Sequence, residues 1–317
     1  ASTRALGGSM RDFRTPSGSD LLTRGDAFFE WQDSRRQAGL WPFSRATDNG
    51  PSAVCAASDD RGNKMTGVNF ASQDYLSLSS HPDIKHIAIE TINGFGVHSA
   101  GSGALVGNTS LSVALERKIG IIRGLVRSSD HIVMDSLSHT CLQEGANAAT
   151  RNVSQFRHNN LDHAREKLAA IRAKDTENGI MVITEGLFSM DSDTPDIAAL
   201  QDLCHEYGAT LVVDVAHDFG ALGEDGTGHI GMQGMLGKVD LVMGSFSKTF
   251  ASNGGFVACN SRALKEYLRF YSPSTTFSNA LSPAQAAGVR KGLEFVDSPE
   301  GQALRARLRS NVLLLRE

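Results

Sequence analysis

The stretch Val242–Phe250, VMGSFSKTF, sets Lys248 immediately beyond an apolar run. Three other short apolar runs deliver polar residues in the same manner. His139 follows HIVMD (His131–Asp135), Ser189 follows IMVIT (Ile180–Thr184), and TLVVD (Thr210–Asp214) leads into Asp214 and His217. The run DLVMG (Asp240–Gly244) itself leads into Ser245 and Lys248. Ahead of all these, GSGALVGNTSLSVALE places a glycine-rich turn before a helix expected to begin near Thr109. Backbone N–H groups at such a turn suit a phosphate. Taken singly, each feature has an ordinary explanation: a solvated lysine, a hydrogen-bonded structural histidine, a loop needing glycine dihedrals, an aspartate capping a helix. Together they match one cofactor. Pyridoxal phosphate needs an amine for a Schiff base, which Lys248 supplies, and a carboxylate to hold the proton of its ring nitrogen, which Asp214 supplies. His217 is placed to donate to the 3′-oxygen, His139 offers a flat face for stacking, and the Gly107–Asn108 amides with the Ser245 hydroxyl suit the phosphate.

These residues need a scaffold that gathers them at one edge. The four apolar runs are too continuous for half-exposed strands and read as strands buried on both faces, as in a parallel sheet. Those ending at Thr184, Asp214 and Gly244 are 30 residues apart, the length of one strand–helix–strand unit. Between them, Asn160–Ala173 places Leu161, Ala164, Leu168 and Ile171 on one helix face, and Pro195 is expected in the first turn of a helix ending at Gly208. The segments share no side-chain pattern, so the spacing is architecture rather than duplication. The fold class is α/β, with a mainly parallel central sheet flanked by helices. Chemistry in open α/β sheets collects beyond the carboxyl ends of the strands, where all these polar residues fall.

Residues 1–65 read as a separate N-terminal segment, with one helix around Ala27–Gln37 and a turn-rich stretch Ala46–Lys64. Residues 1–10, closing on Gly-Gly-Ser-Met, resemble an expression remnant and are set aside from the fold. The large domain is expected over 66–290. Residues 291–317 read as the start of a C-terminal domain that is incomplete at Glu317.

A formal charge of −4 over 317 residues gives no global electrostatic case for nucleic acid or an anionic membrane surface. Four dispersed cysteines, Cys55, Cys141, Cys204 and Cys259, argue against a zinc cluster or a disulfide framework and point to a reducing, cytoplasmic setting. No metal site and no transmembrane segment are expected.

The motifs TEGLFSMDSD, DVAHDFGALGEDGTGHIG and GSFSKTFASNGGF resemble those of the α-oxoamine synthases, a fold-type-I pyridoxal-phosphate group. The likeness runs from NFASQDYLSLSSHP (Asn69–Pro82) to FSNALSPAQAAG (Phe277–Gly288), and GSFSK followed by GGF is most similar to the serine palmitoyltransferase branch. The resemblance implies Lys248 as the Schiff-base lysine and base, Asp214 as the ring-nitrogen partner, His217 as the 3′-oxygen partner and His139 as the stacking histidine. It further implies cofactor contacts from Gly107, Asn108, Ser189 and Ser245, with Ser278 reaching a neighbouring subunit's phosphate in a homodimer. The implied reaction is a decarboxylative Claisen condensation of serine, alanine or glycine with an acyl-CoA or acyl-carrier-protein thioester. It yields an α-amino ketone, carbon dioxide and free thiol. One departure stands out: the family usually has an acidic residue where Val215 stands. An aminotransferase or aldol-type lyase on the same fold remains open, as does, with less support, a catalytically silent partner subunit.

Overall fold

The computed structural model describes residues 3–17, 19–59, 61–102, 109–110, 121–272 and 279–316. The chain divides into two compact units, 1–69 and 70–317.

In the N-terminal unit the helix Asp26–Gln37 carries Trp31, which meets Phe13, Phe28 and Trp41 at ring separations of 5.1–6.1 Å. The opening residues belong to this unit: Ala5 is buried, and the Trp31 indole N–H donates to the Gly7 carbonyl at 2.8 Å. The turn-rich stretch contains an antiparallel sheet of β1 (Ala46–Thr47), β2 (Val54–Ser58) and β3 (Lys64–Val68). Its alternation is faint because Ala and Ser fill β2, so only the ladder reveals it.

Among the described residues the larger unit is built on a sheet of six strands: β4 (His131–Asp135), β5 (Val153–Phe156), β6 (Ile180–Glu185), β7 (Thr210–Asp214), β8 (Leu241–Ser245) and β9 (Gly255–Ala258). Their order is β5-β4-β6-β7-β8-β9; all neighbours are parallel except β8 and β9. The chain steps outward from β4 to β5 and then returns to the other side of β4, so a topological switch lies between β4 and β6. Period-two alternation splits the strands between two cores. Val133, Val182, Leu211 and Val213 face one, while Ile132, Met134, Ile183 and Val212 face the other. All are fully or almost fully buried, which accounts for the unbroken apolar runs. The edge strands β5 and β9 are short and half-exposed and carry no such run.

The helix Leu161–Arg172 buries Ala164 and Leu168 and is capped by Asn160, whose Oδ1 accepts the His163 N–H at 2.7 Å. The helix Ile197–Glu206 starts two residues later than its proline suggests. Asp196 is the cap, accepting the Ala199 N–H at 2.9 Å, and Pro195 stands before it with its carbonyl bonded to the Gln233 side chain. The aspartate offers an acceptor for an orphan N–H, which proline cannot, and so sets the boundary. Gly208, at φ 58°, stops the chain after this helix. The helix Pro283–Val296 runs unbroken across residue 290 and packs in a third core with Leu78, Ile84, Phe246 and Phe250. Among the described residues no helix is long and apolar enough to cross a membrane.

Candidate active site

Two neighbouring strands end in buried carboxyls. Glu185 closes β6 and Asp214 closes β7, and the ladder pairs them in register. They are 3% and 8% exposed. The Asp214 backbone carbonyl accepts the Gly186 N–H at 2.7 Å, and its Oδ1 accepts the Ala216 N–H at 2.9 Å. The turn after β7 thereby fixes the carboxylate at the sheet edge. Burial pushes the Glu185 carboxyl up to about 7, with Asp214 and Asp135 adding repulsion; the His139 N–H and the Lys248 charge oppose the rise.

Glu185 also reaches across to the loop after β4. Its Oε1 accepts the His139 backbone N–H at 2.6 Å. His139 is the exposed N-cap of the helix Thr140–Ala149, and its Nδ1 accepts the Cys141 N–H at 3.3 Å.

His217 follows β7 by three residues and is partly buried. Its Nδ1 lies 2.8 Å from the Tyr75 hydroxyl. Burial first, then the charges of Lys248 and His139, lower its pKa to about 4, so the imidazole is neutral at neutral pH. The Tyr75 phenol is pushed up by burial and keeps its proton.

Lys248 lies in the connection between β8 and β9. Phe246 and Phe250 on either side of it are 3% and 1% exposed and meet edge-to-face at 5.7 Å. These two anchors hold the loop down while Lys248 remains partly accessible. The Phe246 N–H donates to the Gly254 carbonyl at 3.0 Å, and Gly254 has φ +89°, a conformation that favours glycine. Ser245 Oγ is 2.6 Å from Ser247 Oγ.

The structure therefore brings Lys248, Asp214, His217 and His139 to one edge, where the charge of Lys248 acts on His217 and Glu185 and that of Asp214 acts on Glu185. Ser245 ends β8 at the same edge, and Ser189 is exposed in the loop after β6. Gly107, Asn108 and Ser278 lie outside the described residues. Two residues at the site escaped the sequence reading. Glu185 directly follows an apolar run and would emerge by extending that strand one residue. Tyr75 lies 142 residues from His217 and gave no local signal. At Val215 the family's usual acid is replaced by core packing: the side chain is 3% exposed among Val213, Ile230 and Phe256. An unforeseen acid, Asp218, is fully buried, and its Oδ2 accepts the His229 N–H at 2.7 Å. Burial raises its pKa to about 6.

The donor set fits pyridoxal phosphate. A partly buried primary amine, a buried carboxylate fixed at a strand end and a neutral imidazole are the types that bind its aldehyde carbon, ring nitrogen and ring oxygen. This fold and this edge define a fold-type-I pyridoxal-phosphate transferase. Residues 117–317 match the family of class I and II aminotransferases. The 8-amino-7-oxononanoate synthase of Geobacter sulfurreducens is 33% identical over 270 residues, covering 79% of this chain and 68% of that protein. The serine palmitoyltransferase of Sphingobacterium spiritivorum is 32% identical over 252 residues, covering 73% and 62%. A serine palmitoyltransferase structure from S. paucimobilis, solved with a bound PLP–myriocin aldimine, shares the fold at a TM-score of 0.79 and 24% identity. It covers 88% of this chain and 73% of that one. The chain belongs to the class I and II aminotransferase family and, within it, to the α-oxoamine synthases. It spans between 62% and 68% of the length of these two curated relatives.

Glu185→Gln keeps the acceptor for His139 and removes the titration. A carboxyl raised from 4.5 to about 7 binds its proton more tightly in the folded state, so stability falls as pH rises through that window and is level above it. The cofactor-free wild type is expected to lose roughly 1–3 kcal/mol relative to Glu185→Gln across this window. Urea unfolding at a series of pH values measures the difference. Parallel curves would show that Glu185 titrates normally.

Proposed function

We propose that the protein is a pyridoxal-phosphate-dependent C-acyltransferase. It condenses a small amino acid (serine, alanine or glycine) with an acyl thioester of coenzyme A or a carrier protein, releasing carbon dioxide, free thiol and an α-amino ketone. The observation that carries the reading is the convergence of the Lys248 amine, the Asp214 carboxylate and the neutral His217 imidazole at the ends of β7 and β8. The cofactor, when bound, supplies an electrophilic aldehyde and a protonated ring that stabilises negative charge on a neighbouring carbon.

The chain's own groups divide the remaining work. Lys248 would hold the aldehyde carbon and would take a proton from the substrate carbon. Asp214 would hold the ring-nitrogen proton, with the Ala216 N–H fixing its carboxylate at the strand end. His217 would donate to the ring oxygen, with Tyr75 holding its other nitrogen. His139 presents the imidazole face, its backbone fixed by Glu185. Ser189 and Ser245, with Gly107 and Asn108, are the proposed remaining contacts. The run GSFSK with GGF favours the serine palmitoyltransferase branch, although the two relatives differ by one percentage point of identity.

Crossing candidate amino acids with acyl thioesters, and reading products by mass spectrometry, tests this proposal. Carbon dioxide release that requires the thioester supports it. Amino-group transfer to an oxo acid, or carbon–carbon cleavage without thioester, would replace it with the aminotransferase or lyase reading.

The proposed working form is a homodimer in the cytoplasm, a setting favoured by four cysteines that are all free. Light scattering is expected to give twice the 33.9 kDa chain mass. A monomer that binds the cofactor tightly would refute the dimer and, with it, a role for Ser278 across the interface. His139→Ala is expected to retain cofactor but lose about 10²-fold in turnover, because a stacking and orienting group acts more on geometry than on occupancy. An unchanged rate would return His139 to a purely capping role.

A further inference from the structure

The run His158-Asn159-Asn160 follows β5 and supplies none of the proposed cofactor contacts. In the fold, His158 sits between carboxylates on both sides. Its Nδ1 is 2.9 Å from Asp135 Oδ1 at the end of β4, and its Nε2 is 3.0 Å from Asp193 Oδ2 in the loop after β6. An ionised carboxylate only accepts, so both hydrogen bonds form together only when the ring is the doubly protonated imidazolium. The Phe188 ring meets the imidazole edge-to-face at 4.5 Å. Asn159 reinforces both arms: its N–H donates to Asp135 Oδ2 at 2.9 Å and its side-chain amide to Asp193 Oδ2 at 3.0 Å.

Each arm leads to a loop of the candidate site. Asp135 is fully buried, and its Oδ1 also accepts the N–H of Leu137, two residues before His139, at 2.9 Å. Asp193 closes the loop that leaves β6 at Glu185 and carries Ser189; the Phe188 N–H donates to the Asp193 carbonyl at 3.0 Å. We propose that His158 is a positioning residue whose imidazolium ties the His139 loop to the Ser189 loop, so that both sides of the cofactor site loosen when it loses its proton. The functional consequence rests on the reading of this edge as the pyridoxal-phosphate site.

The direction of the pH effect follows from the surroundings. Burial opposes the charged ring, but hydrogen bonds and charge from Asp135 and Asp193 outweigh it and raise the pKa above the ordinary histidine value. Among the described residues, Asp135 on β4 and Asp193 on the loop after β6 are the ionisable groups paired with the ring. The tie is therefore complete below the ordinary histidine pKa and is lost as pH rises through the raised one.

Hydrogen exchange of the cofactor-free full chain, corrected for intrinsic rates, tests the tie between about pH 6 and 9. In the wild type, protection of the Leu137 and Phe188 amides, neither of which bonds to Glu185, is expected to fall by roughly tenfold across that range. His158→Gln is expected to show low protection that no longer varies with pH, and Asp193→Asn an intermediate profile with a lower histidine pKa by NMR. Pyridoxal-phosphate affinity, followed by absorbance, should weaken with pH in the wild type along the same transition and lose that transition in His158→Gln. Identical exchange profiles for wild type and His158→Gln would overturn the proposal, as would an NMR titration showing His158 neutral throughout the range. If His158→Gln does not fold, the wild-type titration and Asp193→Asn decide. Borohydride reduction with the cofactor separates the two readings. A label on Lys248 with pH-independent loops removes the tie alone, whereas pH-dependent loops without that label remove the cofactor site alone.

Discussion

Lys248→Ala is expected to lower condensation turnover by about 10³–10⁴-fold, since one substitution removes both the covalent anchor and the base. The fold should tolerate the change. Phe246 and Phe250, not Lys248, hold the β8–β9 connection in the core, and Lys248 itself is partly exposed. Cofactor binding should persist without a covalent link, because the contacts proposed for Asp214 and His217 are intact. Reduction of the wild type with borohydride followed by peptide mapping should find the pyridoxyl group on Lys248 and find none on the variant. A label on a different lysine, or a variant that turns over at the wild-type rate, would make Lys248 an ordinary surface charge.

Asp214→Asn is expected to cost about 10²–10³-fold in turnover, the scale of removing one preorganised electrostatic partner from a dry site. The substitution is nearly isosteric. The asparagine side-chain oxygen can still accept the Ala216 N–H, so the turn after β7 should keep its shape. What disappears is the negative charge, on a residue only 8% exposed, that would hold a proton on the ring nitrogen. Steady-state kinetics on the cofactor-loaded variant, with the bound-cofactor spectrum recorded in parallel, measures the loss. Full occupancy together with an unchanged rate would remove Asp214 from the chemistry.

Much of the architecture was legible in the sequence because strands buried on both faces leave unbroken apolar runs. His131–Asp135 and Thr210–Asp214 have the boundaries expected of them, β6 runs one residue further, and β8 is shifted by one residue at both ends. Lys248, Asp214, His217 and His139 were legible for the same reason: each follows such a run within a few residues, and parallel strands must deliver their carboxyl ends to one edge. The edge strands β5 and β9 were not, since half-exposed strands of four residues carry too little pattern.

The tertiary structure alone decided the partners. Local sequence shows that an aspartate ends β7 and a glutamate follows Thr184, but only the fold buries Glu185, which pushes its carboxyl towards neutrality, and only the β6–β7 register adds the repulsion of Asp214 beside it. Tyr75 reaches His217 across 142 residues, and His158 draws together carboxylates 23 residues before it and 35 after it. Periodicity records how one segment meets water and core. It holds no record of which distant segment lies opposite, and the protonation of a buried group depends on that neighbour.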